Sequence, residues 1–163
     1  MPAIAEMLAG RAPPAALLID IGPGSFTGIR IGIAAGRALG LAWGVPVTGF
    51  SGAALVAARA LAERPGLARI GVLLDAGRGQ LLFGDYGADL IGAEIQILAI
   101  GNVPQGVILA GAGVALLAPD DGRDFVHDGQ PDAAYALHLP LEARALAPAA
   151  FYVRPPDAIL PLR

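Results

Sequence analysis

Residues of the kind that carry chemistry gather at glycine turns in this chain. The first turn, Asp20-Ile21-Gly22-Pro23-Gly24-Ser25-Phe26-Thr27-Gly28, could converge backbone N–H groups on an anion. A dinucleotide fingerprint would need glycine where Thr27 stands, and glycine arrives one residue late, at Gly28. No acidic residue closes the following strand to hold a ribose, and a P-loop is excluded because the chain contains no lysine. Gly49-Phe50-Ser51-Gly52-Ala53 approaches a nucleophile elbow, with Ala53 in place of the final glycine. His127 or His138 could serve it as base, oriented by Asp75 or Asp120, although serine directly after a strand is more simply a helix N-cap. The two histidines form no helical ligand pair, and Asp120-Asp121-x-x-Asp124 reads as a solvated loop, so no metal site is expected. No residue has a compelling catalytic partner.

The elements that would position these residues follow from periodicity and punctuation. Ile4, Met7 and Leu8 have helical spacing closed by Gly10, and Ala15 to Ile21 is an apolar run of buried-strand type. Thr27 to Trp43 reads as a helix with Ser25 or Thr27 as N-cap and Gly44-Val45-Pro46 as terminator. Val45 to Phe50 is a second strand, and Ser51 opens a helix reaching about Glu63. Strand, helix, strand, helix at this spacing implies a parallel α/β layer. After a linker at Arg64-Pro65-Gly66 the pattern changes to a hairpin, Ile70–Leu74 and Gln80–Tyr86 around Asp75-Ala76-Gly77-Arg78-Gly79. Glu94 to Ile97 is an edge strand, and Val107 to Ala110 runs into Gly111-Ala112-Gly113 and a short helix. Residues 119–132 are loop-like, 132–139 helical, and the tail from Pro148 is proline-rich and irregular except at Phe151-Tyr152-Val153.

The first long helix is unusual. Gly28, Gly32, Gly36 and Gly40 recur every fourth residue, at a cost of about 1 kcal/mol each relative to alanine. Ala34, Ala35 and Ala38 widen the small-residue surface, beside the bulky Ile29, Ile33 and Leu41. Part of the stripe must pack on the chain's own sheet. With Arg30 and Arg37, the rest has the character of a helix-to-helix subunit interface, whose residues would be Ile29, Arg30, Ile33, Gly36, Arg37 and Gly40.

Composition narrows the function classes. The chain has 163 residues, 55% of them hydrophobic and only 15% charged, so apolar surface is expected to remain for a partner. A net charge of −3 argues against autonomous nucleic-acid binding. The absence of cysteine excludes disulfides and thiol nucleophiles, and fits a reducing compartment. Mean hydropathy is high, at +0.62. Even so, glycines and prolines break the two charge-free runs, 38–58 and 95–119, into pieces too short for a membrane span.

The segment from Ile21 to Gly32 closely resembles the signature of the TsaB family, also called YeaZ, the dimerization subunit of the bacterial tRNA threonylcarbamoyladenosine complex. Val45-Pro46-Val47-x-Gly49-x-Ser51, the stretch Leu73 to Gln80 and the tail Phe151 to Ala158 resemble the same family in the same order. The resemblance implies an α/β, actin-like ATPase fold (ASKHA or RNase H-like) of two lobes, divided here at residues 1–64 and 65–163. Gly22 to Gly28 would be the family-signature turn. Asp75 would belong to a second phosphate-side element, and Gly111 and Gly113 to a degenerate adenosine-side turn.

Family members are inactive relatives of a catalytic partner, TsaD, which moves a threonylcarbamoyl group onto N6 of the adenosine beside the anticodon. The resemblance therefore implies a non-catalytic, cytoplasmic scaffold that activates a TsaD-like subunit, works with a TsaE-like ATPase and meets tRNA only through the complex. Alone, it would pair with itself through much the same surface. No cofactor is expected, with ATP or ADP bound weakly or not at all. A glycoprotease-like peptidase and a degenerate nucleotide sensor using Gly22, Gly24 and Asp75 are the alternatives. The family opens with a strand of the form Leu-x-Leu-Asp-Thr-Ser that this sequence lacks, so the N-lobe is expected to be truncated at its start.

Overall fold

The computed structural model describes residues 4, 6, 8–118 and 122–154. Strand β1 (Leu17–Asp20) leads into helix α1 (Phe26–Trp43), followed by β2 (Val47–Phe50) and helix α2 (Gly52–Glu63). β1 and β2 pair in parallel, Leu17 opposite Val47 and Asp20 opposite Phe50, as the strand–helix–strand spacing predicts. The expected N-cap is Ser25, whose hydroxyl accepts from Gly28 N–H, and Gly44 closes the helix in the left-handed conformation at φ 65°.

The second sheet comprises β3 (Arg69–Gly77), β4 (Gln80–Gly87), β5 (Ile95–Ala99) and β6 (Leu109–Ala110), in the order β5-β4-β3-β6. β3 and β4 form the expected hairpin. Gly77 pairs with Gln80 across Arg78 and Gly79, both at positive φ, which is the backbone a two-residue primed turn requires. β6 returns parallel to β3. The helices expected after Gly111 and after Asp132 are tight 3₁₀ turns, Ala112–Leu116 and Ala133–His138. The tail from 155 onward, with Asp120 and the remainder of the first predicted helix, lies outside the described residues.

The main core lies between α2 and the second sheet. Ala53 to Ala58 and Ala60 are buried with Ile70, Val72, Leu74, Leu82 and Tyr86. The alanines at 53, 54, 57, 58 and 60 let the helix lie close to the sheet, while Leu55 and Val56 fill the space between them. A smaller cluster, Ile19, Ile21, Ile29 and Ile33, joins β1 to α1, with Ala150 and Tyr152 packed on it. Arg64-Pro65-Gly66 is thus a turn between elements that share a core, and the chain's last described residues return to the first sheet. Leu146 bridges Gly49 of β2 through two backbone hydrogen bonds, and Thr48 Oγ1 donates to the Arg144 carbonyl. Among the described residues, no helix is long and apolar enough to cross a membrane.

Candidate functional site

Both strand-to-helix turns of the first sheet converge on Asp20. Its Oδ1 accepts from Gly22 N–H at 2.8 Å and from Gly52 N–H at 3.0 Å. Burial raises the Asp20 pKa, and the two N–H bonds partly oppose that rise. Asp20, in place of Ser51, therefore caps α2, and Ser51 makes no side-chain capping bond. The signature turn is also closed from outside. Gly22 stands at φ +111°, the Phe151 carbonyl oxygen lies 2.7 Å from where its Cβ would be, and Phe151 N–H donates to the Ile21 carbonyl at 2.8 Å. Gly22 and Pro23 are buried, whereas Gly24, Ser25, Phe26, Thr27 and Gly28 are exposed. Two of the turn's donors are engaged within the chain, Gly22 N–H by Asp20 and Gly28 N–H by Ser25.

The expected docking residues divide between two faces of α1. Ile29 and Ile33 are buried, at 8% and 7% exposure, in the cluster with β1. A side chain at Gly36 would strike Ile19, and one at Gly40 would strike Val47. Ile29, Ile33 and Gly40 are buried and Gly36 half-buried, so these four pack against the chain's own first sheet. The cause is helical geometry, since each four-residue step advances the stripe by about 40°. Gly32 has open space beside it, while the later glycines have rotated into the sheet. Arg30 and Arg37 are exposed.

The face turned to solvent carries Thr27, Ile31, Ala34, Ala38 and Leu41, spaced i, i+4, i+7, i+11 and i+14. Ile31 is 64% exposed and Leu41 87%, and α1 has no acidic residue. At its N-terminal end the Arg30 guanidinium lies 4.0 Å from the Phe26 ring centroid, Arg30 Nε donates to Tyr152 Oη at 2.9 Å, and the Tyr152 ring stacks on Phe26. Sequence reasoning missed this cluster. The i, i+4 spacing of Phe26 and Arg30 signals half of it, but nothing in the sequence ties Tyr152 to either.

Other candidate residues are placed apart. Asp75 is exposed and accepts from Gly77 N–H at 2.7 Å within its own turn. Side chains at Gly111 and Gly113 would meet the Leu73 main chain, so both glycines allow the strap after β6 to lie against β3. The buried Ser51 hydroxyl makes no hydrogen bond among the described residues, and burial raises the pKa of the Tyr86 phenol. The His127 ring lies within hydrogen-bonding distance of the Val56 carbonyl and accepts from Gly129 N–H, so it serves no nucleophile. His138 lies beside the Tyr135 ring. Among the described residues no three acidic or histidine side chains are placed to hold a metal.

Residues 13–103 match the family model described as TsaD, tRNA N6-adenosine threonylcarbamoyltransferase. Two solved Pseudomonas aeruginosa structures share the fold. One, described as a protein with similarity to the peptidase YeaZ, has a TM-score of 0.72 and 25% identity over 94% of this chain and 82% of its own. The other, YeaZ, has a TM-score of 0.70 and 25% identity over 93% and 81%. No curated protein matches the chain. The architecture is that of the actin-like ATPase class, as the resemblance implied. With the signature turn, the hairpin and the returning tail in the same framework, the chain belongs to the TsaD family of tRNA N6-adenosine threonylcarbamoyltransferase proteins, on its YeaZ (TsaB) side.

Proposed function

We propose that this chain is a non-catalytic, TsaB-type scaffold. It docks a TsaD-like catalytic subunit and so supports threonylcarbamoyl transfer to N6 of the adenosine beside the anticodon of tRNA. The observation that carries the reading is the outer face of α1. Ile31 and Leu41 stand exposed around Ala34 and Ala38, with Arg30 and Arg37 along one flank. Small residues at this spacing let a second helix approach closely, and exposed leucine and isoleucine give it apolar area to bury. The same face would pair two copies of the chain when no partner is present. A TsaE-like ATPase and tRNA join only through the complex, in the cytoplasm.

Nothing in the candidate site supplies a nucleophile–base pair. That favours a scaffold over a peptidase, the activity attached to YeaZ in the relative's description. Engaged turn donors likewise favour weak or absent nucleotide binding, which titration calorimetry with ATP and ADP tests.

The deciding experiment is co-purification and calorimetry with a TsaD-like partner, using Leu41→Asp. A carboxylate within an apolar helix contact loses its hydration on binding, so affinity should fall at least about tenfold. Unchanged affinity would reject the face, and proteolysis by a clean preparation would reject the scaffold.

A further inference from the structure

Arg30 is held in place before any partner arrives. Its guanidinium lies over the Phe26 ring, and its Nε–H is taken by the Tyr152 hydroxyl. Tyr152 is brought there from the far end of the chain. Phe151 N–H is bonded to the Ile21 carbonyl, and Ala150 and Tyr152 pack on the Ile19–Ile21–Ile29–Ile33 cluster. Two residues further, the Arg154 guanidinium hydrogen-bonds Gln80 at the tip of the hairpin, so the segment is anchored on both sides of the tyrosine. Arg59, Arg64 and Arg69 each have a carboxylate partner, in Glu63, Asp124 and Asp85. Arg30 has none among the described residues, and α1 contains no acid that could swing toward it.

On the strength of the docking face proposed above, we infer that Phe26 and Tyr152 position Arg30 to receive a carboxylate, an Asp or Glu on the partner's docking helix. A guanidinium presents its N–H groups as a planar fork that matches a carboxylate with two parallel bonds. An arginine free in solvent must lose much rotamer freedom to make them. Stacking and the Nε bond impose that order in the free chain, so less is lost on association. Tyr152 is thereby a positioning residue for the interface, although it lies 122 residues from Arg30 in sequence.

The test is calorimetry of the full chain with a TsaD-like partner, comparing Arg30→Ala, Tyr152→Phe, Tyr152→Ala and the Arg30→Ala/Tyr152→Ala double variant. Loss of Arg30 should weaken binding about tenfold. Tyr152→Ala should weaken it about three- to tenfold, and the double variant should bind no worse than Arg30→Ala alone, because the tyrosine acts through the arginine. Tyr152→Phe keeps the ring and guards against unfolding. In the free chain, its Arg30 Nε–H should exchange with solvent faster than in the wild type by NMR.

Tyr152→Ala binding like the wild type, losses that multiply in the double variant, or unchanged Nε–H exchange would each overturn the inference. Failure of the underlying reading looks different. There the unaltered chain does not bind the partner, or Leu41→Asp binds normally. When the inference alone fails, Leu41→Asp abolishes binding while Tyr152→Ala is silent.

Discussion

His127 is buried and Asp20 half-buried, both titratable groups whose work is structural, and each ties stability to pH with its own sign. Burial is the main cause lowering the His127 pKa, reinforced by the Arg59 charge and opposed by the Val56 carbonyl. The unfolded chain, with histidine near ~6.5, therefore binds the proton more readily than the folded one. Stability should be fully present above that value and fall as pH drops from it through the lowered folded pKa. Urea midpoints between about pH 8 and 5 should show the fall, and His127→Gln, which can still donate to Val56, should flatten it. An equal slope in the variant would exclude His127 as the source. Asp20 runs the other way. Its folded pKa lies above the ordinary carboxyl value of 3.8, so its contribution is largest below that value and is lost as pH rises through the raised one. Asp20→Ala should cost about 1–3 kcal/mol by leaving the Gly22 N–H without its side-chain acceptor and the Gly52 N–H with only the Gly22 carbonyl, whereas Asp20→Asn, which still accepts, should cost less. Thermal unfolding distinguishes them. Glycine turns after β1 and β2 are plain in the sequence. That one carboxylate serves both is not, because Asp20 and Gly52 become neighbours only when the parallel strands pair.

At the scale of the element, α1 has two faces with opposite consequences. Its inner face is filled, so Gly40→Val should destabilise the chain by about 1–3 kcal/mol through overpacking against Val47. Gly36→Leu should also lower the unfolding midpoint, since Ile19 occupies the space. Its outer face is open, and Leu41→Asp should leave stability within about 0.5 kcal/mol while losing the partner. A variant set in which Gly40→Val unfolds normally would contradict the packing described. The helix, its Ser25 cap and its Gly44 stop were legible from local signals alone. Which arc meets the sheet was not. Apolar and small residues occur on both arcs, so sequence periodicity has no contrast by which to choose between them.

For the whole molecule, the returning tail decides more than any single element. Residues 146–154 bridge β2, cover the signature turn and touch the hairpin tip. A chain ending after Ala149 should lose the cover of the small isoleucine cluster, at a cost of about 2 kcal/mol, with faster hydrogen exchange in β1 and the first turns of α1. Exchange unchanged in both would show that the tail is a passive appendage. By itself the sequence determined the element order, the parallel first layer, the hairpin and the family, because strand and helix periods, caps and turn glycines act over a few residues. Only the tertiary structure decided that Gly36 and Gly40 admit the chain's own sheet, that Gly111 and Gly113 lie against β3, and that Arg30 is held by Tyr152. Each depends on contacts between residues distant in sequence, whose energies arise only once the chain has closed upon itself.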